Sequence, residues 1–138
     1  GNLGTMIRTG EGAGITGVIM NQQTVDIFNP KTIRATMGSI FRVPFVYVPE
    51  LSPVLTQMHE KGIHTYAAHL KGQKYYDSFS FREPTAFLIG NEGNGLTKEI
   101  SDQAGQYLKI PMEGKVESLN ASIAAALLMY EAHRQRNL

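Results

Sequence analysis

The chain has 138 residues, 42% of them hydrophobic, and a formal net charge of +1. That is enough apolar material for the core of one domain, and too little excess charge for a polybasic nucleic-acid coat, leaving only local patches. The absence of cysteine excludes a disulfide scaffold or thiolate zinc site and fits a cytoplasmic protein, and no apolar run is long enough to span a membrane.

Strand-like and helix-like runs alternate along the chain. Residues 2–10 suit a short helix with Asn2 as its cap. The run 17–20, GVIM, has the composition of a buried parallel strand. Asn29 and Pro30 supply a cap and a first-turn proline. Ile33, Met37, Ile40 and Phe41 then fall on one face of a helix that Pro44 ends. A strand at 45–48 follows, then a helix that starts at Ser52 and stops at Gly62. Strands are predicted at 63–68, 85–89 and 107–110, with a helix at 96–104 and a last one from Ser118, its cap, to about residue 136. The pattern predicts an α/β fold, a largely parallel sheet flanked by helices. Ligands of such sheets bind at the carboxyl ends of the strands, which brings forward the loops 67–72, 90–95 and 111–120.

The loop 90–97, GNEGNGLT, has the G-x4-G spacing of a phosphate loop. However, Leu96 stands where the essential lysine belongs, and Glu92 would repel phosphate. A backbone-lined pocket for a neutral or cationic ligand remains, because glycines admit close approach and Glu92 favours positive charge. The bland alternative is a turn rich in Gly and Asn for steric reasons alone.

His59-Glu60 with His64 is one residue too long for a zinc-binding pair, and Gly62 breaks the helix that would align it, so no metal is expected. His69 follows a strand and is a minor candidate for the site, and His133 is expected to face solvent. No G-x-S-x-G elbow is present for acyl chemistry. Arg8 sits beside a glycine-rich helix exit, where a surface ion pair is the ordinary alternative to a functional role. At 115–122, KVESLNAS, the mouth of the last helix carries Ser118, Asn120 and Ser122. With Ser118 as cap, Asn120 and Ser122 exceed what capping requires. Physical reasoning alone ends at an enzyme that binds a small molecule or nucleotide.

Three segments together resemble the SpoU (TrmH) family of RNA ribose 2′-O-methyltransferases, within the knotted SPOUT superfamily. NLGTMIRT at 2–9 is similar to the family's N-x-G-x-x-x-R-T motif. LIGNEGNGL at 88–96 is similar to its G-x-E-x-x-G-L motif, and IPMEGKVESLNAS at 110–122 to its I-P-M-x-G…S-L-N-x-S motif. Each is weak alone, but the trio, in the family's order and spacing, is specific and frames nearly the whole chain. The intervening NPKTIRATMGSIFRVP is similar to the family's middle helix.

The resemblance implies a SPOUT-type fold with a deep C-terminal trefoil knot. It implies S-adenosyl-L-methionine as cofactor, held by Ala67, Ala68, Ile89, Gly90, Ile110, Met112, Ser118, Leu119 and Asn120. It assigns catalysis to Arg8, supported by Asn2, Glu92, Ser118 and Asn120. Since a free guanidinium loses its proton only above about pH 12, orienting the ribose hydroxyl or stabilising the oxyanion suits an arginine better than acting as base. The implied substrate is RNA, ribosomal RNA ahead of tRNA. The implied assembly is a homodimer, for which Leu119, Ile123, Leu127 and Tyr130 form a candidate stripe; packing within the same domain is equally compatible. Residues 1–138 read as the catalytic domain, expected to lack its first strand and an N-terminal RNA-binding domain. The rivals are a non-catalytic RNA-binding module, opposed by the intact Arg8, Glu92, Ser118 and Asn120, and a nucleotide hydrolase, opposed by the missing lysine.

Overall fold

The computed structural model describes residues 2–91 and 95–138. They form two compact units, 1–51 and 52–138.

In the first unit, α1 (Asn2–Ala13) buries Leu3, Gly4, Ile7 and Gly10 along one stripe. Gly4 is where the helix meets its neighbour α2 (Pro30–Ala35). A Cβ there would come within 2.5 Å of the Thr32 carbonyl oxygen and 2.6 Å of the Ala35 methyl, so only glycine permits this approach. β1 (Val18–Asn21) and β2 (Phe45–Val48) pair in parallel with Val18 opposite Phe45. Leu3, Ile7, Met20, Ile27, Ile40 and Val43 form the core between these elements.

Asn29 does cap α2, its side chain accepting from the Lys31 N–H, and Pro30 opens the helix. The helix predicted to run on to Phe41 is instead broken after Ala35. The Thr36 hydroxyl donates to the Ile33 carbonyl, and Met37 and Gly38 are both left-handed, at φ 50° and 89°. A 3-10 turn at Ser39–Phe41 comes next. The expected single face is thereby divided: Ile40 is 8% exposed and enters the core, while Met37 at 66% and Phe41 at 87% point to solvent. Asn2 is likewise corrected, from cap to first residue of α1.

In the second unit, α3 (Ser52–Glu60) ends before Gly62, which is left-handed at φ 77° as a helix stop requires. β3 (His64–Ala68) is the central strand of an all-parallel sheet, flanked by β4 (Thr85–Leu88) and β5 (Gln106–Leu108). α4 (Lys98–Asp102) is shorter than predicted because Thr97 caps it, accepting from the Ile100 N–H. α5 (Ala121–Arg136) closes the chain.

The core of this unit joins Tyr66, Phe81, Leu108 and Leu128. The Phe81 ring stands edge-on to those of Tyr66 and Phe87, at 5.1 and 5.0 Å. α5 buries Ser122, Ala125, Leu128, Glu131 and Gln135, three or four residues apart. Gln135 fastens the loop before β4. Its carbonyl accepts from the Phe81 N–H at 2.6 Å, and its amide donates to the Phe79 carbonyl at 2.9 Å and to Glu131 at 2.7 Å. The Arg134 fork, then Gln135, hold the Glu131 carboxyl below the usual carboxylate range against the opposing effect of burial.

Candidate functional site

Because β3, β4 and β5 are parallel, their carboxyl ends share one edge of the sheet. Register sets Ala67 between Leu88 and Tyr107, and Ala68 beside Leu108. Ile89 and Gly90 then leave β4, and Ile110 leaves β5, from that same edge. Five of the predicted cofactor contacts are brought together in this way: Ala67, Ala68, Ile89, Gly90 and Ile110. Ala67 is fully buried, Ala68 is exposed, and Ile89, Gly90 and Ile110 are half-buried.

The glycines of the β4 exit are packing requirements. A Cβ on Gly90 would lie 2.2 Å from the Gly95 carbonyl carbon, 2.3 Å from the Leu96 nitrogen and 2.6 Å from the Gly95 Cα. Gly95 is left-handed at φ 65°, and its N–H donates to the Asn91 carbonyl at 3.1 Å. The two ends of this loop therefore meet backbone to backbone. Glu92 lies outside the described residues.

The loop leaving β3 folds onto the end of β5. His69 donates its backbone N–H to the Leu108 carbonyl, and its ring stacks on Tyr107 with centroids 4.4 Å apart. Its Nδ1 accepts from the Lys71 N–H. The Tyr107 hydroxyl lies 3.3 Å from Asp102, whose carboxyl is held below its ordinary range chiefly by the Lys98 hydrogen bond. Gly72 is pressed against Leu108, where a Cβ would come 2.9 Å from the carbonyl carbon. Beyond it, the Tyr76 N–H donates to the Lys109 carbonyl, and the Lys109 N–H to the Lys74 carbonyl. Sequence reasoning missed this second close approach. Its signal was the lone glycine in HLKGQK, directly after a strand.

Met112, Ser118 and Leu119 lie on the extended segment that joins this edge to α5, with Met112 and Leu119 half-buried and Ser118 exposed. The helix mouth corrects an expectation. α5 starts at Ala121, so its cap is Asn120, which accepts from the Ser122 and Ile123 N–H groups. The Ser122 hydroxyl donates to the same oxygen at 2.6 Å. An asparagine adjoining the first helical residue reaches these orphan donors, whereas Ser118 lies two residues further back. Ser118 is thus the polar side chain with no capping duty.

Asn2 and Arg8 belong to the first unit, on α1. With Leu3, Gly4 and Ile7 facing inward, Arg8 is directed to solvent, and it makes no ion pair among the described residues. The surface ion pair that would have explained it away is absent there. His59 and His64 are each committed elsewhere: His59 Nε2 to the Thr65 hydroxyl and His64 Nε2 to Glu83, both at 2.8 Å. Among the described residues no three His, Asp or Glu side chains group as metal ligands, and no helix is long and apolar enough to cross a membrane.

Residues 1–130 match the model of the SpoU rRNA Methylase family. The chain belongs to that family. It is 37% identical over 130 residues to the 23S rRNA (guanosine(2553)-2′-O)-methyltransferase RlmP of Bacillus subtilis, covering 94% of this chain and 52% of that protein. The SpoU methyltransferase AviRb from Streptomyces viridochromogenes superposes with a TM-score of 0.91 at 34% identity, over 99% of this chain and 55% of that one. An AdoMet-bound rRNA methyltransferase from Sinorhizobium meliloti gives 0.87 at 36% identity, over 96% and 51%. The chain therefore spans about half the length of the curated relatives it matches.

Proposed function

We propose that this chain is the catalytic domain of an S-adenosylmethionine-dependent RNA 2′-O-ribose methyltransferase, acting in the cytoplasm on ribosomal RNA ahead of tRNA. The observation that carries the proposal is the glycine cradle on the carboxyl edge of the sheet. There Gly90 meets the backbone of Gly95 and Leu96 so closely that no side chain fits, so the exit of β4 presents main chain and not a side chain. An adenosine fits such a lining, with Ala67, Ile89, Ile110, Met112 and Leu119 as apolar walls and Ala68, Ser118 and Asn120 beside them. S-adenosylmethionine bound there would supply an electrophilic methyl group on a sulfonium, and Glu92 would favour that positive charge.

The remaining work falls to side chains. Arg8 has five N–H donors, no acceptor and no ion-pair partner among the described residues, so it is free to orient the ribose 2′-hydroxyl or hold the adjacent phosphate. In either role it stabilises the oxyanion that forms as the hydroxyl gives up its proton. The motif resemblance adds Asn2, Ser118 and Asn120 as uncharged hydrogen-bonding groups.

The same reading extends to topology and assembly. A C-terminal trefoil knot is in keeping with the interleaving of residues 69–76 with the end of β5. A homodimer is in keeping with the unburied side of α5, where Ile123, Leu127 and Tyr130 line a mainly apolar hollow with Tyr76, Ala126 and Glu131.

Calorimetry of the chain with S-adenosylmethionine and with ATP tests the site. Binding of the first and not the second is expected; the reverse would sink the proposal. Labelled-methyl incorporation into ribosomal and transfer RNA transcripts then ranks the substrates.

A further inference from the structure

The segment between Ile27 and Pro49 carries Lys31, Arg34 and Arg42 and no carboxylate. Within it Phe41 is 87% exposed, the most exposed of the large hydrophobic side chains. Its position is imposed by the backbone. In an uninterrupted helix Phe41 would share the inward face with Ile33, Met37 and Ile40. The left-handed Met37–Gly38 pair breaks that helix, and a left-handed methionine is a strained conformation. The break sends Ile40 into the core and turns Phe41 out.

The backbone that carries the ring is also held in place. The Phe41 N–H donates to the Gly38 carbonyl, and the N–H groups of Arg42 and Val43 both donate to the Ser39 carbonyl. The Ser39 hydroxyl and the Arg42 guanidinium converge on the Glu11 carboxylate. The same guanidinium covers Gly38, 3.3 Å from where a Cβ would stand. Phe41 is thus fixed between a buried neighbour and a pinned one. Lys31 and Arg34, both exposed, have no ion-pair partner among the described residues.

We infer that Phe41 is a stacking platform for a base of single-stranded RNA, with Lys31 and Arg34 meeting its phosphates. An exposed aromatic on a segment that also carries free cations is a combination that binds unpaired nucleic acid, since every base offers a π-face and every linkage a negative charge. The segment also exposes Phe28 at 61% and Met37 at 66%, but its unpaired charges are both cations, which favours a polyanion over an apolar protein face. The inference rests on the proposed RNA substrate and adds where that RNA is gripped, away from the cofactor loops in sequence.

The test uses the whole chain and a mixed-sequence single-stranded RNA of about a dozen nucleotides. Phe41→Ala removes only exposed atoms and should weaken RNA binding by about ten-fold or more, leaving S-adenosylmethionine affinity unchanged. Phe41→Leu, apolar but without a π-face, should behave like the alanine variant. The chain has no tryptophan, so Phe41→Trp introduces a sole indole. It should bind RNA like the wild type, with its fluorescence quenched on binding. Wild-type RNA affinity in Phe41→Ala, an unquenched Phe41→Trp, or a wild-type chain that does not hold the oligonucleotide would each overturn the inference. So would a change of sedimentation in Phe41→Ala, which would assign the ring to a protein interface. Loss of S-adenosylmethionine binding by the wild type counts against the proposed cofactor site instead, and is read separately.

Discussion

Substituting Gly90 with alanine tests whether the cradle is set by steric necessity. The added methyl would sit 2.2–2.6 Å from three backbone atoms of Gly95 and Leu96, where carbon contacts normally lie beyond about 3.5 Å. A side chain in the way could rotate aside. Backbone cannot, so the two ends of the loop must separate by roughly an ångström. Overpacking of this kind costs about 1–3 kcal/mol. Part of that cost falls on the loop alone, because the rest of β4 stays paired to β3.

Urea unfolding should accordingly show Gly90→Ala destabilised by about 1–3 kcal/mol. Calorimetry should show S-adenosylmethionine binding weakened at least ten-fold, since an ångström of displacement spoils several hydrogen bonds at once. Gly114→Ala is the matched control: it lies on the segment that leads to α5, and a Cβ there meets nothing within 4 Å. It should unfold within about 0.5 kcal/mol of the wild type. If Gly90→Ala matches the wild type in both assays, the close approach of the two loop ends is not what shapes the site.

Arg8→Lys should leave stability and S-adenosylmethionine affinity unchanged while lowering methyl transfer by about a hundred-fold, because an ammonium cannot reproduce the fork of donors; near-normal turnover would remove Arg8 from the chemistry. Asn120→Ala should cost about 1 kcal/mol through loss of the α5 cap, whereas Asn120→Ser should keep most of the cap. If Asn120 also touches the cofactor, both variants lose affinity despite their different urea midpoints. Gln135→Ala leaves the Phe81 N–H and the Phe79 carbonyl without their partner and should destabilise the chain by about 1–3 kcal/mol in urea. The Glu11 carboxyl is lowered to about 2 from 4.5 by hydrogen bonds from Arg42, then Ser39, so its stabilising effect is complete above pH 4.5 and is lost as pH falls toward 2. Thermal melting across that window should show a shallower acid loss for Glu11→Gln than for the wild type.

How much of this was legible in the sequence depended on whether the deciding interaction was local. The capped start of α2 and the Gly62 stop were readable because cap, proline and glycine act within a few residues. Strand 45–48 was readable because a short apolar run between prolines has few other uses. The middle helix misled because its apolar spacing remained helical while the backbone did not. A left-handed Met37 is not marked by residue type, and the clasp on the 3-10 turn after it comes from Glu11, far back in the chain. The cradle was only half legible. Its glycines stood out, but Gly90 is needed for the approach of Gly95 and Leu96, and no spacing rule announces that contact.

The helix mouth at KVESLNAS carries this distinction furthest. Three polar residues competed for one capping duty, and sequence reasoning gave it to Ser118, leaving Asn120 and Ser122 over. The structure reverses the division. Asn120 accepts from two backbone donors and from the Ser122 hydroxyl, and Ser122 is buried beneath it. Capping therefore explains Asn120 and Ser122 without any ligand, and the motif resemblance alone asks more of Asn120. Ser118 is the opposite case: it is exposed, lies outside the helix and has no capping partner among the described residues. Of the three, Ser118 is the residue whose loss should alter the ligand site and leave the helix intact.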